Sequence, residues 1–520
     1  MSQIAFTAPH HEAARAGHAV LAAGGTAIEA MVAAAATIAV VYPHMNGLGG
    51  DGFWLISEPG KAPIAIDAAG KSAQLADQTF YRGVDEIPTR GGMAALTMAG
   101  AVAGWKEALA ISHQWQQGKS LQHLFANAIH NAEKGITVTA SLEAASRKVF
   151  NDLKDLPEFT HFLDDGKPLQ QGKTLKQPKI AHTLSLLASR GLADFYQGEL
   201  AQQLASELAE AGSPLRLEDF LSYQATQVTP LEVTTSVGTL YNLPAPTQGI
   251  ASLLILALYD RLNALGDGSD TDMAHLLIEA TKQAFIARNT YLTDPSRLDI
   301  DLQSLLTNES LDAMAAPVSA TEAMPWPHKA QHGDTIWMGC TDQKGRMVSY
   351  IQSLYWEFGS GIVSPSTGIV WNNRGSSFDL DPSHLQALKP NLKPFHTLNP
   401  AFATLNDGRR ISYGTMGGEG QPQTQAALFS RYVYHKKPLT EAIAEGRWLL
   451  GRTWGDQSHN LKVEADFAQG AASMLDSRGH DWVTVPACNE LMGHAGAVVL
   501  HPNGTAEAAT DPRSDGAALS

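Results

Sequence analysis

The stretch His332-Gly333-Asp334-Thr335-Ile336-Trp337-Met338 divides the chain into two parts of different character. Before it, residues 305–333 lose hydrophobic periodicity and collect proline, alanine and histidine, which is typical of an exposed linker. After it, short strand-like segments follow one another, beginning with 335–341 and 347–353. Thr335 therefore stands where an irregular linker ends and a strand-rich region begins, and this boundary decides the fold.

Thr335 becomes a nucleophile if the peptide bond between Asp334 and Thr335 is cut. In mid-chain a threonine hydroxyl has no backbone group that takes its proton, whereas a new N-terminal residue carries an α-amino group with a pKa of about 7.7–8.0. That amine can act as general base for the hydroxyl of the same residue. In the turn 413–420, Gly417 and Gly418 offer backbone N–H groups for a developing oxyanion. The pattern predicts a self-cleaving precursor.

Composition limits the class of protein and its partners. The 520 residues are 44% apolar and 17% charged, as in a globular protein with a large core. A net charge of −15 argues against a nucleic acid or an anionic membrane surface as partner. The two cysteines, Cys340 and Cys488, predict two buried free thiols rather than a disulfide framework. There is no signal peptide, and the longest apolar run, 30–41, is too short to span a bilayer, so we expect a cytoplasmic protein.

The sequence predicts neither a metal nor another cofactor. The 19 histidines are scattered, and only His10 and His11 are adjacent, without cysteine or carboxylate partners at metal-binding spacing. The glycine loop 47–52 follows a helix and precedes a strand, which is the reverse of a dinucleotide-binding turn. No glycine-rich loop is followed by Lys-Ser or Lys-Thr, so a phosphate-binding loop is not predicted.

Periodicity and capping residues predict mixed secondary structure. Thr26 is placed to cap a helix that runs to residue 41, and residues 213–223 and 243–247 are turn-rich. Further helices are predicted at 11–23, 121–134, 272–291, 423–432 and 439–445. Strands are predicted at 53–56, 63–66, 335–341, 347–353, 368–371, 401–405 and 411–413. Helices, then strands, then helices indicate a layered α+β sandwich.

An ordered set of short motifs resembles the γ-glutamyltranspeptidase family of N-terminal-nucleophile hydrolases, and the resemblance covers nearly the whole chain. Each motif alone is weak, but together they occur in the order that the family shows. The motifs are 24–30, 43–44, 47–53, 98–105, 359–363, 368–373, 416–418 and 511–513.

The resemblance implies a role for each catalytic residue. Thr335 matches the residue that becomes the nucleophile after an N→O acyl shift at the Asp334–Thr335 bond. Ser353 matches a second hydroxyl residue that supports the nucleophile, and Gly417 and Gly418 match the oxyanion-hole pair. The implied fold is a four-layer αββα sandwich. In it, a large segment, 1–334, and a small segment, 335–520, stay associated as one folded unit. The oligomeric state stays open, including a homo-oligomer.

The substrate-binding positions depart from the γ-glutamyl-binding members of that family. Those members hold an α-carboxylate with an arginine, but the matching stretch here, 67–71, has none. They also hold the α-amino group with an acidic residue, where this chain has Ser377. Arg374 instead offers a planar guanidinium suited to a carboxylate. The predicted substrate-binding residues are Arg374, His396, Thr397 and Tyr355.

Segments 372–378 and 394–400 resemble the acylase-type branch, which includes cephalosporin acylases and the oxamate amidohydrolases of purine-nitrogen catabolism. The bulk of Trp337, Tyr355 and Trp356 and the missing export signal favour a small anionic amide. We therefore expect hydrolysis of oxamate to oxalate and ammonia through an acyl-Thr335 intermediate. The alternatives are γ-glutamyl transfer or glutathione hydrolysis, a cephalosporin (glutaryl) acylase, and an unprocessed, non-catalytic member that binds a partner.

Overall fold

The computed structural model describes residues 3–326, 334–451 and 460–520. The end of the predicted linker, 327–333, lies outside the described residues. The helices are α1 (His11–Ala22), α2 (Ala27–Val41), α3 (Ala101–Trp115), α4 (Leu121–Lys134), α5 (Ala140–Leu153), α6 (Pro178–Arg190), α7 (Asp194–Gln197), α8 (Glu199–Glu210), α9 (Leu217–Ser222), α10 (Gly249–Leu262), α11 (Asp270–Tyr291), α12 (Asn308–Ala315), α13 (Gln421–Phe429), α14 (Leu439–Ala444) and α15 (Ala465–Ser477).

Strands occur along the whole chain. They are β1 (Ala5–Ala8), β2 (Asp51–Ser57), β3 (Ile64–Ala68), β4 (Ile136–Thr137), β5 (Leu163–Asp164), β6 (Lys167–Pro168), β7 (Thr174–Leu175), β8 (Thr226–Val228), β9 (Leu231–Thr235), β10 (Gly238–Asn242), β11 (Asp334–Thr341), β12 (Met347–Tyr355), β13 (Ala401–Leu405), β14 (Arg410–Thr415), β15 (Trp448–Leu450), β16 (Leu461–Glu464), β17 (Trp482–Val485), β18 (Ala495–Leu500), β19 (Ala506–Thr510) and β20 (Ala517–Leu519).

Two antiparallel sheets organise the fold. The first has seven strands in the order β20-β1-β11-β12-β2-β3-β8, and the second has six in the order β19-β18-β14-β13-β10-β9. Each sheet combines strands from both sides of Thr335, because β11 and β12 lie between β1 and β2 in the first sheet. The chain before Thr335 and the chain after it therefore share one fold, with helices and sheets in the α+β combination expected from the sequence.

Period-two alternation sends the side chains of β11 to two different buried clusters. Along β11, Ile336 and Met338 belong to a cluster shared with helix residues, whereas Trp337 belongs to a cluster formed by both sheets. The Trp337 indole lies against Gly339, Gly414 and Gly496, where a Cβ would come within 2.6 Å of it. Trp337 thus fills the space between the sheets, and its effect on the size of the substrate pocket stays a prediction.

The N-terminal helices follow the predictions closely. α1 and α2 occupy the predicted ranges to within one residue. Thr26 caps α2 through a reciprocal capping box, in which its hydroxyl accepts from the Glu29 N–H and the Glu29 carboxylate accepts from the Thr26 N–H. Within the described ranges, no helix combines the length and the apolar character that crossing a bilayer requires.

Several predictions from the sequence are wrong. Part of the predicted linker forms α12, because the Thr307 hydroxyl caps this helix and Leu311 packs into the core. Residues 217–222 form a short helix rather than a turn. The predicted strand at 368–371 makes only isolated bridges, since Gly368 has a positive φ of 72°. Cys488 is exposed, unlike the buried Cys340, because it lies in a surface loop after β17.

Candidate active site

Thr335 lies in a bulge at the start of β11. Asp334 pairs with Tyr355 of β12 and Ile336 pairs with Gln352, so Thr335 faces the two residues Ser353 and Leu354 between them. Bulges bend a strand locally and redirect a side chain, and they are frequent beside active sites. The Thr335 side chain is fully buried, and its Oγ1 lies 3.4 Å from Nε2 of Gln421.

Ser353 is held next to this bulge. Its hydroxyl accepts a hydrogen bond of 2.7 Å from the N–H of Tyr355, and its strand partner on the other side is Asp51 of β2. Tyr355 has a φ of 83°, which is strained for a residue with a side chain. The short bond from Ser353 fixes this turn of the backbone, directly opposite the predicted cleavage point.

Gly417 and Gly418 follow β14 and lead into α13. Their φ values of 118° and 55° lie in the left-handed region that favours glycine. The turn ends in a single 3-10 turn, Gly418–Gly420, and the next residue is Gln421, whose amide reaches Thr335. The two glycines therefore lie on the same short loop as a group that contacts the predicted nucleophile.

A buried hydrogen-bond network holds Gln421 and the glycine turn in place. Asn399 Nδ2 donates to Gln421 Oε1 at 3.1 Å and to the Thr397 carbonyl at 3.0 Å. Gln248 Nε2 donates to the carbonyls of Thr397 and Gly418, each at 2.8 Å. Through these two amides, the Thr397 backbone is connected to the Gln421 side chain and to the Gly418 carbonyl.

The same network includes a buried ion pair. Arg288 on α11 donates to Gln248 Oε1 at 2.9 Å and contacts the Glu419 carboxylate at 3.1 Å. The pair fixes the glycine turn from the outer side, because Glu419 lies between Gly418 and Gly420.

Arg374 lies beneath the surface rather than on it. Its side chain is 1% exposed, and the guanidinium carbon lies 3.8 Å from the centre of the Tyr355 ring. Nη1 donates to the Thr397 hydroxyl at 3.3 Å, whereas Nε and Nη2 have no hydrogen-bond partner among the described residues. Burial lowers the pKa of Arg374 to about 10, so the group stays a cation at neutral pH. The site thus presents a stacked buried cation with two donors available.

His396 and Asp51 form a second buried pair beside Arg374. His396 Nε2 lies 3.2 Å from Asp51 Oδ2, although neither atom has an aligned hydrogen-bond partner. Burial raises the pKa of Asp51 to about 7, and the Arg374 charge and the Gly70 N–H oppose this rise. Burial and the Arg374 charge lower the pKa of His396 well below its ordinary value, so the imidazole is neutral.

By the resemblance described above, Ser377 matches an acidic residue of the γ-glutamyl-binding members. Its hydroxyl donates to the backbone carbonyls of Arg374 at 2.9 Å and Phe395 at 3.3 Å. A hydroxyl bonded to the backbone in this way supplies no negative charge to a substrate ammonium.

The structure brings some of the predicted residues into contact and adds others that the sequence reasoning missed. Thr335 and Ser353 meet across the strand pair, and Arg374 stacks on Tyr355 and bonds Thr397. The missed residues are Gln421, Asn399, Gln248, Arg288, Glu419 and Asp51. The position of Gln421, directly after the glycine turn and before Pro422 at a helix start, was a signal in the sequence, whereas Gln248 and Arg288 carried none.

Comparison with known proteins finds similarity over nearly the whole chain. The profile of the family described as Gamma-glutamyltranspeptidase matches residues 13–520. The chain is similar to the oxamate amidohydrolase proenzyme of Klebsiella pneumoniae subsp. pneumoniae, at 52% identity over 98% of this chain and 97% of that protein. It is 36% identical to the glutathione hydrolase-like YwrD proenzyme of Bacillus subtilis, over 98% of this chain and 97% of that protein.

Solved structures point the same way. The crystal structure of cephalosporin acylase from Bacillus halodurans aligns with a TM-score of 0.89 and 30% identity, covering 99% of this chain and 95% of that one. This neighbour agrees with the acylase-type branch that the sequence motifs indicate. The chain belongs to the gamma-glutamyltranspeptidase family.

Proposed function

We propose that this chain is the precursor of an N-terminal-threonine amidohydrolase that hydrolyses a small carboxylate-bearing amide, oxamate being the substrate we favour. Cleavage before Thr335 gives segments 1–334 and 335–520, which stay together. The proenzyme names of both relatives and the 52% identity to an oxamate amidohydrolase proenzyme support this assignment.

The observation that carries the proposal is the buried guanidinium of Arg374. It stacks on Tyr355, which pairs across the sheet with Asp334, the residue before the nucleophile. A buried cation with unpaired donors is costly, and a carboxylate that accepts from Nε and Nη2 removes that cost. The planar fork of arginine suits such bidentate binding. Arg374 therefore favours a substrate whose carboxylate lies close to the scissile amide.

The remaining residues fit acyl transfer. Gln421 Nε2 donates to Thr335 Oγ1 and so helps to position the attacking oxygen, and the α-amine that cleavage creates on the same residue is the general base. Thr335 Oγ1 attacks the amide carbonyl, and the N–H groups of Gly417 and Gly418 stabilise the oxyanion. The amine takes the hydroxyl proton and passes it to the leaving nitrogen, so ammonia departs. Water then hydrolyses the acyl ester, which releases oxalate when the substrate is oxamate.

The surroundings of Arg374 favour oxamate over a γ-glutamyl group. A γ-glutamyl substrate carries an ammonium, and Ser377 offers it no charge. Tyr355 covers one face of the guanidinium, and His396 packs edge-on against Phe53 at 4.8 Å, so aromatic and imidazole groups crowd the site. The predicted cytoplasmic location and the role in purine-nitrogen catabolism stay predictions.

The four-layer αββα sandwich is part of the same proposal. One hydrophobic cluster draws on both sheets, and it contains Phe53 and Trp337 of the first sheet and Phe402 of the second. Two further clusters combine the opposite faces of the sheets with helices, α2 on the first sheet and α10 on the second. This distribution supports two sheets packed face to face between two helical layers.

Ammonia release from a panel of amides tests the function. The panel contains oxamate, a γ-glutamyl anilide with a dipeptide acceptor, and a glutaryl amide. We expect oxamate to give the highest kcat/KM. Arg374→Ala should cost about 2–5 kcal/mol of transition-state stabilisation, because a buried charged contact is lost. This loss corresponds to a fall in kcat/KM of roughly 30- to 4000-fold.

Arg374→Lys keeps the charge but not the fork, so it should recover only part of the activity. The matched control is Arg82→Ala, which removes an exposed arginine. Equal rates for Arg374→Ala and the wild type would exclude Arg374 from the site, and a preference for the γ-glutamyl anilide would overturn the choice of substrate.

A further inference from the structure

A second cluster of ligand-type side chains lies on α11, away from Thr335. His275, Glu279 and His480 place one nitrogen or oxygen atom each within 4.8 Å of one another. His275 and Glu279 are one helical turn apart and both buried, and His480 approaches them from the turn before β17. Two imidazoles and a carboxylate are the ligands of many zinc sites.

The hydrogen bonds of His275 fix its tautomer. Its Nε2 lies 2.9 Å from the Ser319 carbonyl, which only accepts, so Nε2 carries the proton. His275 Nδ1 therefore presents a lone pair, which lies 2.9 Å from His480 Nε2. A histidine that donates its other N–H to a backbone carbonyl is the usual arrangement around a bound metal.

Glu279 already binds one cation. Its Oε1 lies 2.6 Å from the Lys282 ammonium, and its Oε2 accepts from the Met324 N–H at 3.0 Å. Each carboxylate oxygen has two lone pairs, so Glu279 keeps capacity for a further ligand bond. A metal ion at this position therefore either displaces the Lys282 ammonium from Glu279 or is repelled by it.

A cavity borders the cluster at His480. Its volume is about 370 Å³, and His480, Lys282, Met324 and Gly479 contribute to its lining. An ion can reach His480 from this side, and the Lys282 ammonium can turn into the same space. Water in the cavity can complete a four-coordinate site.

From this geometry we propose that His275 Nδ1, His480 Nε2 and a Glu279 carboxylate oxygen bind one divalent ion of the zinc class. The ion takes over the role of the Lys282 ammonium as the cation on Glu279. His480 changes tautomer, so that its proton lies on Nδ1 and the lone pair of Nε2 binds the ion.

Such a site connects different parts of the chain. His275 and Glu279 lie before Thr335 and His480 lies after it, so the ion bridges the two segments if the chain is cut. Ser319 and Met324, which bond the ligands, belong to the stretch that leads towards the cleavage point. The ion would hold this stretch and both segments together.

Calorimetric titration with Zn²⁺ of protein stripped of metal by a chelator tests the site. We expect one ion per chain in the wild type and in His123→Ala, which removes an exposed histidine. His480→Ala should lose this binding, and so should His480→Gln, which keeps a hydrogen-bond donor of similar size if the alanine variant misfolds. Lys282→Gln should bind Zn²⁺ more tightly, because the competing cation is gone.

Two results would overturn the proposal: no binding by the wild type, or unchanged stoichiometry in both folded His480 variants. Weaker binding by Lys282→Gln would contradict the displacement of the ammonium. The uncut variant Thr335→Ala should bind Zn²⁺ as well, so a failure of cleavage or catalysis is distinguishable from a failure of this site. In cut protein, the denaturant midpoint should rise with Zn²⁺ concentration.

Discussion

The side-chain amide of Gln421 lies 3.4 Å from the hydroxyl oxygen of Thr335, and this contact links the two halves of the candidate site. Gln421 is the first residue of α13, immediately after the glycine turn, and Asn399 fixes its orientation by donating to Oε1. Since Oε1 accepts that bond, Nε2 faces Thr335. One amide thus sets the position of the nucleophile relative to the glycines.

Replacing Gln421 with alanine should slow catalysis without abolishing folding. The lost hydrogen bond is worth about 1–3 kcal/mol at a buried polar site, so we expect kcat to fall roughly 5- to 150-fold. Ammonia release from oxamate measures the effect, with Gln202→Ala at an exposed position of α8 as the control. An unchanged kcat would show that Gln421 does not position the hydroxyl.

Removing the Thr335 hydroxyl should block both maturation and turnover. Thr335→Ala should stay a single band on a denaturing gel, whereas the wild type separates into segments 1–334 and 335–520. Thr335→Ser keeps a hydroxyl and should still cleave. If the alanine variant matures into two pieces, the nucleophile of the cleavage lies elsewhere, and mass spectrometry of the pieces would locate the cut.

Asp51 should make stability depend on pH. Its pKa of about 7 in the folded protein exceeds the ordinary value of 3.8, so the folded state holds a proton that the unfolded state has lost between these pH values. Stability therefore falls as pH rises through this window, by up to about 4 kcal/mol. Urea unfolding of wild type and Asp51→Asn at about pH 5 and about pH 8 measures this fall.

The Asp51→Asn variant should lack that fall, because asparagine does not titrate and can still accept from the Gly70 N–H. His396 acts in the opposite direction, since its lowered pKa removes stability as pH drops below its ordinary value. Comparison of the two proteins separates the contributions. A parallel pH profile for both would contradict the raised pKa of Asp51.

Ser353→Ala should destabilise the turn after β12. The Tyr355 N–H loses the hydroxyl that accepts from it at 2.7 Å, and an unpaired buried N–H costs about 1–3 kcal/mol. Ser353→Thr keeps the acceptor and should retain most of the stability. Chemical unfolding measures both, with Ser189→Ala on the exposed end of α6 as the reference. Equal unfolding midpoints for Ser353→Ala and wild type would show that this hydrogen bond does not stabilise the fold.

The sequence predicted the elements that depend on local pattern. Thr26 and Glu29 specify a helix start by their own chemistry, and the hairpin that follows Thr335 carries a clear strand signal. It did not predict contacts made across the fold. Gln248 and Arg288 lie far along the chain from the glycine turn, and only folding brings them to it. Asp51 lies in the glycine loop 47–52, yet its role arises from burial beside His396 and Arg374, which no local pattern encodes.

The bulge at Thr335 isolates the rest of its strand from events at its end. Pairing with β12 is regular from Ile336 onwards, and Trp337 is fixed between the sheets by three glycines and a bond to Ser349. The strand is therefore anchored two residues after Thr335. If the chain is cut before Thr335, the new N-terminus can move by the length of one residue without shifting the register of β11 with β12. For the same reason, a preceding stretch of a different length can lead into β11 at the bulge without changing the pairing of the strand.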